Sequence, residues 1–285
     1  MAEMLLGRPV ADAIREGLAP RIAALAEQGV TPKLAIIRLG EDPGDMAYER
    51  SLRRGCEKLG CAAESVALPA ETSQAALIAA IEAVNADPTI HGCLLLRPLP
   101  KHMDANAVCD ALAPEKDLDG MGSRALGALF AGRKDAFAPC TAQACLEMLK
   151  FYGVDPRGKR AAVVGRSLVI GRPVGQLLLQ ADATVTLCHS RTPELPAVCR
   201  EAEILIAAVG RAGLIGREHT RPGQVILDVG VNSVEGRLCG DVRTDEAAAV
   251  AAAVSPVPGG VGAVTPAVLL AHLVEAAERS LVHSA

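Results

Sequence analysis

Gly165, Ser167 and Gly171 punctuate the stretch KRAAVVGRSLVIGRPVGQLLLQADATVTLCHSRT (159–192), whose residue types suit the binding of a phosphate. Glycine permits a tight turn and a close approach of backbone to ligand. The N–H groups at the start of the helix that follows, near Arg172 and Pro173, offer an anion site, with Arg166 in the turn itself. The spacing is Gly-x-Ser-x-x-x-Gly, not Gly-x-Gly-x-x-Gly, so the reading leans on its setting: a strand over 160–164, a turn, a helix, and a strand over 184–188. An NAD site would place an acidic residue after the second strand to hold the ribose hydroxyls. Here the chain has Cys188, His189, Ser190, Arg191 and Thr192. Hydroxyls and a guanidinium suit a 2′-phosphate, so NADP is the expected cofactor. The plainer alternative is a solvated loop that contains an arginine. His189 reads as a structural or phosphate-edge residue, not a catalyst.

Elements able to position such a site run through the whole chain. Helical periodicity covers 10–28, followed by a strand at KLAIIRLG (33–40) and an amphipathic helix at MAYERSLRRGCEKLG (46–60). ESVALP reads as a strand, SQAALIAAIEAVNAD as a helix and HGCLLLRPLP as a strand with its loop. A short helix near 104–112 opens a loop-rich boundary over 101–138. The alternation restarts at PCTAQACLEMLKFYG, with strands at 160–164, 184–188, 203–209 and 225–229, a helix in the alanine run 247–253 and a terminal helix over 264–281. This is the pattern of βαβ units on a mainly parallel sheet, so the expected fold is α/β in two lobes, the second Rossmann-like.

Composition narrows the function classes. Half of the 285 residues are apolar, yet there are only three Phe, two Tyr and no Trp, so Ala, Val and Leu must supply the core. A net charge of −4 argues against a general nucleic-acid or anionic-membrane binder. The nine cysteines form no CxxC pair and lie mostly in apolar segments, which favours buried free thiols over a disulfide or metal framework. The first residues carry charges within a short apolar run, unlike a secretion signal, and no uncharged apolar stretch reaches about 18 residues. A cytoplasmic small-molecule enzyme, with no metal, is expected.

RLGEDPGDMAYERS, RPLP, PEKDLDG, PCT, VVGRSLVIGRPV, ILDVGVN, GDV and PVPGGVGAVT stand in the order found in one enzyme family. On these motifs the chain resembles the bifunctional methylenetetrahydrofolate dehydrogenase/methenyltetrahydrofolate cyclohydrolase family over nearly its whole length. The resemblance implies a folate lobe from 1–138 completed by the helix 264–285, an NADP lobe over 139–263, a cleft between them, and a homodimer. It also assigns Tyr48 to stacking on the substrate beside the reacting carbon, and Asp119 to holding the pterin. A carboxylate suits the adjacent ring N–H and amino donors of a pterin. Read on their own, Asp119 would serve equally as a turn or cap residue and Tyr48 as core. Pro98 and Leu99, with Pro258, Gly259 and Gly260 of PVPGGVG, correspond to backbone lying along the folate and nicotinamide; the alternative for the glycines is a structural turn.

Departures from the family are concentrated around that substrate region. Leu52 replaces the lysine that the family assigns to proton transfer in the cyclohydrolase step, and Leu96 replaces the glutamine that contacts it, with Arg97 following. Asp45, Ala125, Ala142 and Ala263 stand where the family has Ser, Asn, Pro and Pro. Removing one polar partner leaves a costly unsatisfied group, whereas exchanging both for apolar side chains can be nearly neutral. The expectation is therefore a dehydrogenase whose cyclohydrolase step is lost or weak. Full bifunctionality, a non-catalytic NADP- or folate-binding protein, and an oxidoreductase for another pterin-like substrate stay open.

Overall fold

The computed structural model describes residues 2–283. The chain divides into two compact units, one formed by the residues up to 13 with 139–268, the other by 14–138 with the residues from 269 onward. A short strand β1 (Glu3–Met4) and helix α1 (Gly7–Glu27) open the chain.

In the unit built on 14–138, β2 (Lys33–Leu39), α2 (Pro43–Leu59), β3 (Ala62–Leu68), α3 (Gln74–Ala86) and β4 (Gly92–Leu95) alternate as the periodicity predicts. The strands form a three-stranded parallel sheet in the order β3-β2-β4. Leu34, Ala35, Ile36 and Ile37 of the central strand are fully buried, as expected for a parallel strand covered on both faces. Because β2 and β4 run parallel, the loops leaving their C-terminal ends emerge at one edge, where open α/β sheets bind ligands. Helix α4 (Ala105–Asp110) falls in the expected place. The stretch expected to be loop also contains α5 (Ser123–Phe130), whose Ala125, Ala128 and Leu129 bury a narrow stripe. Its eight residues are too few to stand out from the glycines around them.

The other unit comprises α6 (Cys140–Phe151), β5 (Arg160–Val164), α7 (Gly171–Gln180), β6 (Thr184–Cys188), α8 (Leu195–Glu201), β7 (Ile204–Ala207), β8 (Val225–Asp228), β9 (Asn232–Val234), β10 (Arg237–Cys239), α9 (Thr244–Ala248) and β11 (Ala253–Val254). A six-stranded sheet runs in the order β1-β11-β8-β7-β5-β6, every pairing parallel. The first residues were expected in the folate lobe, but β1 pairs with β11, Glu3 opposite Ala253 and Met4 opposite Val254. Two paired residues leave no periodicity to read. The alanine run is likewise not one helix: α9 stops at Ala248 and the run ends in β11. Here burial against the sheet outweighs alanine's helix propensity. The small hairpin β9–β10, largely exposed, was not expected either.

Helix α10 (Thr265–His283) ends the described chain. Val261–Leu281 has the length and hydropathy of a membrane span, but more than half of its most apolar stretch is buried within the protein, as in a core helix. Eight cysteines are buried as thiols, and burial pushes Cys56, Cys93 and Cys145 up to about 12, so they stay protonated and unreactive.

Candidate active site

Helix α2 carries the first group of candidate residues. Asp42 caps it, accepting from the N–H groups of Gly44 at 2.8 Å and Asp45 at 3.1 Å, and Pro43 suits its first turn. Glu49, Leu52 and Cys56 form its buried stripe, and Tyr48 is half-buried at its edge. Beneath the helix, Arg38 at the end of β2 donates from Nε to Glu49 Oε2 at 2.8 Å, and Ser65 of β3 donates to the other carboxylate oxygen. Burial alone would raise the Glu49 carboxyl, but the bonds from Ser65 and Arg38 outweigh it and hold it below the usual carboxylate range. These three residues fix the helix that presents Tyr48, and motif reading missed them. The available signal was an arginine closing an otherwise apolar strand.

Leu52 is 2% exposed and Leu96 is 7% exposed, so both positions are occupied by packed hydrocarbon. Asp45, in the first turn of α2, is only partly buried; burial, and then the charge of Asp42, raise its carboxyl. Arg53 and Arg54 are exposed.

Past β4, Leu96 N–H donates to Ile37 O at 2.9 Å, then Arg97 and a cis peptide lead into Pro98, which is exposed, and Leu99, which packs on the apolar cluster under the sheet. Arg97 Nη2 lies 3.5 Å from Asp119 Oδ2. The loop presenting Asp119 is held at every neighbouring position. Lys116 Nζ donates to the carbonyls of Val84, Asn85 and Asp87 at 2.8, 2.9 and 2.7 Å, closing the end of α3. Asp117 accepts from Gly122 N–H at 2.8 Å; burial raises its carboxyl against that bond. Leu118 is buried against Gly92, where a Cβ would come within 2.3 Å of Leu118 Cδ1. His272 of α10 completes the set: its Nδ1 lies 2.8 Å from Leu118 O and donates to it. Burial lowers the His272 pKa, so the ring is neutral, and it stacks on Phe137 at 4.8 Å. A lone histidine in an apolar helix gave no sequence signal for this role.

In the six-stranded sheet the cofactor candidates follow the C-terminal ends of β5 and β6, and the substrate candidates Pro258, Gly259 and Gly260 follow β11. Gly165 has φ +125°, and a Cβ there would meet Ala208 O at 2.1 Å; at Gly171 one would meet Gly165 O at 2.3 Å. Both positions therefore require glycine. The expectation of open N–H groups at the start of α7 needs correction. Ser167 Oγ accepts from Ile170 N–H at 3.1 Å and Gly171 N–H at 3.4 Å, Ser167 O accepts from Arg172 N–H at 3.0 Å, and Pro173 has no N–H. An anion at this turn would meet the exposed Arg166, the Ser167 hydroxyl, Arg172 and the field of the helix.

After β6, His189 N–H donates to Thr192 Oγ1 at 2.9 Å, and His189 Nδ1 accepts from Arg191 N–H at 3.1 Å. His189 thus shapes the turn and leaves Ser190 and Arg191 exposed. The turn adjoins the glycine loop, since Gly165 N–H donates to Cys188 O at 2.9 Å. Pro258 and Gly259 are exposed, Gly260 is buried, and Gly259 O accepts from Gly7 N–H at 2.8 Å.

Two buried carboxylates, absent from the sequence candidates, order the neighbouring loops. Asp228 accepts from the N–H groups of Gly230 and Asp241 at 3.0 Å and Val242 at 2.9 Å. Burial pushes its carboxyl up to about 6. Asp241 in turn accepts from the N–H groups of Val209, Gly210 and Arg211 at 2.6, 2.9 and 2.7 Å, fixing the loop after β7 against Gly165. The ILDVGVN and GDV motifs held them both, but their role needs the fold.

Residues 5–119 match the model of the tetrahydrofolate dehydrogenase/cyclohydrolase catalytic domain, and 139–281 that of the family's NAD(P)-binding domain. The chain belongs to the tetrahydrofolate dehydrogenase/cyclohydrolase family. Within that family it is 46% identical over 281 residues to the bifunctional protein FolD of Carboxydothermus hydrogenoformans, covering 98% of both chains. It is similar to the crystal structure of the bifunctional FolD enzyme of Campylobacter jejuni, with 34% identity, a TM-score of 0.95 and coverage of 98% and 99%. It also resembles the Trypanosoma brucei dehydrogenase-cyclohydrolase solved with NADP and an inhibitor, with 37% identity, a TM-score of 0.92 and coverage of 98% of each chain.

Proposed function

We propose that this chain is an NADP-dependent 5,10-methylenetetrahydrofolate dehydrogenase in which the cyclohydrolase step is lost or severely weakened. The observation that carries the proposal is the burial of both Leu52 and Leu96, at positions where the resembling family keeps an ionisable group and its polar partner. Bound NADP would supply the hydride acceptor. The turn with Gly165, Arg166, Ser167, Gly171, Arg172 and Pro173 would hold its phosphates, and Ser190 and Arg191 its 2′-phosphate, with His189 shaping that turn. Tyr48 would stack on the substrate, Asp119 would hold the pterin, and Pro98, Leu99, Pro258, Gly259 and Gly260 would offer backbone to the ligands.

Oxidation of the methylene carbon needs orientation of donor and acceptor, and the methenyl product is stabilised by its own nitrogens, so no protein base is required. Hydration and ring opening of that product need proton management, worth about 10² to 10⁴ in rate. Leucine contributes nothing to it. The folate role belongs to the 14–138 unit and the NADP role to the 139–268 unit; a cytoplasmic homodimer completes the reading. The test is to incubate the enzyme with methylenetetrahydrofolate and NADP and to separate methenyl from formyl product by absorbance. NADPH formation with accumulation of methenyl product supports the proposal; stoichiometric formyl product refutes it.

A further inference from the structure

Position 97 departs from the family's Leu-Pro-Leu-Pro as position 96 departs from its glutamine, and its side chain lies at the carboxylate read as the pterin anchor. The Arg97 and Asp119 side chains are 24% and 25% exposed, with Arg97 Nη2 3.5 Å from Asp119 Oδ2. Beside the pair is a small concavity whose walls include Cys93, Leu95, Cys109 and Met121. The loop that carries the carboxylate is fixed by the contacts of Lys116, Asp117 and Leu118. A guanidinium presents five N–H donors in a fixed plane, and Asp119 is the acceptor that Arg97 meets among the described residues. No other protein acceptor for its N–H groups is found among the described residues, and Arg97 itself lines the concavity.

We propose that Arg97 is a specificity-determining residue that reads, together with Asp119, the amide edge of a 4-oxopterin ring. The inference rests on the folate reading above. That edge presents a carbonyl acceptor at C4, an N–H donor at N3 and an amino donor at C2. Asp119 suits the two adjacent donors, and the guanidinium beside it supplies a donor to the carbonyl. The protein's donor-acceptor-acceptor order thus complements the ring's acceptor-donor-donor order. A 4-amino-4-deoxy ring turns the first position into a donor, which would face the guanidinium N–H groups unpaired, and the second, N3, into an acceptor, which would face a carboxylate oxygen of Asp119. A leucine at 97 offers nothing to either ring at that position.

The test titrates tetrahydrofolate and its 4-amino-4-deoxy counterpart into the full chain, R97L and R97K by calorimetry, with thermal denaturation showing that each variant is folded. The wild-type chain should prefer the 4-oxo ligand by roughly tenfold or more, the scale of one charge-assisted hydrogen bond. In R97L the preference should fall about fivefold or more, through weaker binding of the 4-oxo ligand, leaving the share that Asp119 sets at N3. R97K, which keeps a point donor without the planar fork, should fall between. An unchanged preference in folded R97L, or in R97K should R97L fail to fold, overturns the role of Arg97 while leaving the folate reading intact. Failure of the wild-type chain to bind either pteridine overturns the folate reading and the assignment with it.

Discussion

Arg38 at the end of β2 and Glu49 on α2 form a buried pair, Nε to Oε2 at 2.8 Å with side chains 11% and 9% exposed, and it ties the helix that presents Tyr48 to the sheet. Breaking it by R38M or E49A strands a partner away from water, at a cost of about 3 kcal/mol measurable by denaturant unfolding. The pH dependence has a defined sign. Glu49 is held below the usual carboxylate range, so its stabilisation is present above the unfolded-state value and disappears as pH falls through the lower folded one. E49A should therefore lose its deficit relative to the wild-type chain in acid, below about pH 4.

Asp241 gathers the N–H groups of Val209, Gly210 and Arg211, and the loop it fixes lies against Gly165. D241N keeps one acceptor oxygen of two and turns the other position into a donor. KM for NADP should rise about tenfold, with KM for the folate substrate changing less than about twofold. Steady-state kinetics with each substrate varied in turn checks this.

Arg191 stands exposed in the turn that His189 holds. R191A should weaken NADPH binding about tenfold and leave NADH binding nearly unchanged, so that the preference between the two cofactors falls. Fluorescence titration of both nucleotides reads it directly.

Much of this constellation was legible in the sequence because it rests on local chemistry. Gly165 and Gly171 are required by close backbone contacts inside one strand-turn-helix unit, and Leu52 follows a helical period that a single segment displays. The positioning groups were not legible. His272 reaches across 154 residues to Leu118, and Glu49 and Asp228 act on groups as much as 16 and 14 residues away, which only the fold brings to them. The short strands β1 and β11 were hidden for the same reason: pairing with a distant neighbour, not residue pattern, defines them. The anion site at α7 was misread because the same serine that marks the motif consumes the N–H groups it was expected to leave open.

Leu52 and Leu96 are both buried, so a polar group introduced at one of them alone would lack a partner. L52K alone buries an ammonium without its polar partner, so it should destabilise the chain by a few kcal/mol and restore little hydrolysis. The double variant L52K/L96Q should exceed the sum of the single variants in cyclohydrolase rate. A double-mutant cycle on both stability and hydrolysis measures that coupling.

The most direct measurement supplies methenyltetrahydrofolate to the purified wild-type chain and follows its hydrolysis, with NADP-linked oxidation of methylenetetrahydrofolate measured on the same preparation. Robust dehydrogenase turnover beside hydrolysis within about tenfold of the spontaneous rate is the expected result. Hydrolysis that keeps pace with the dehydrogenase step would contradict it.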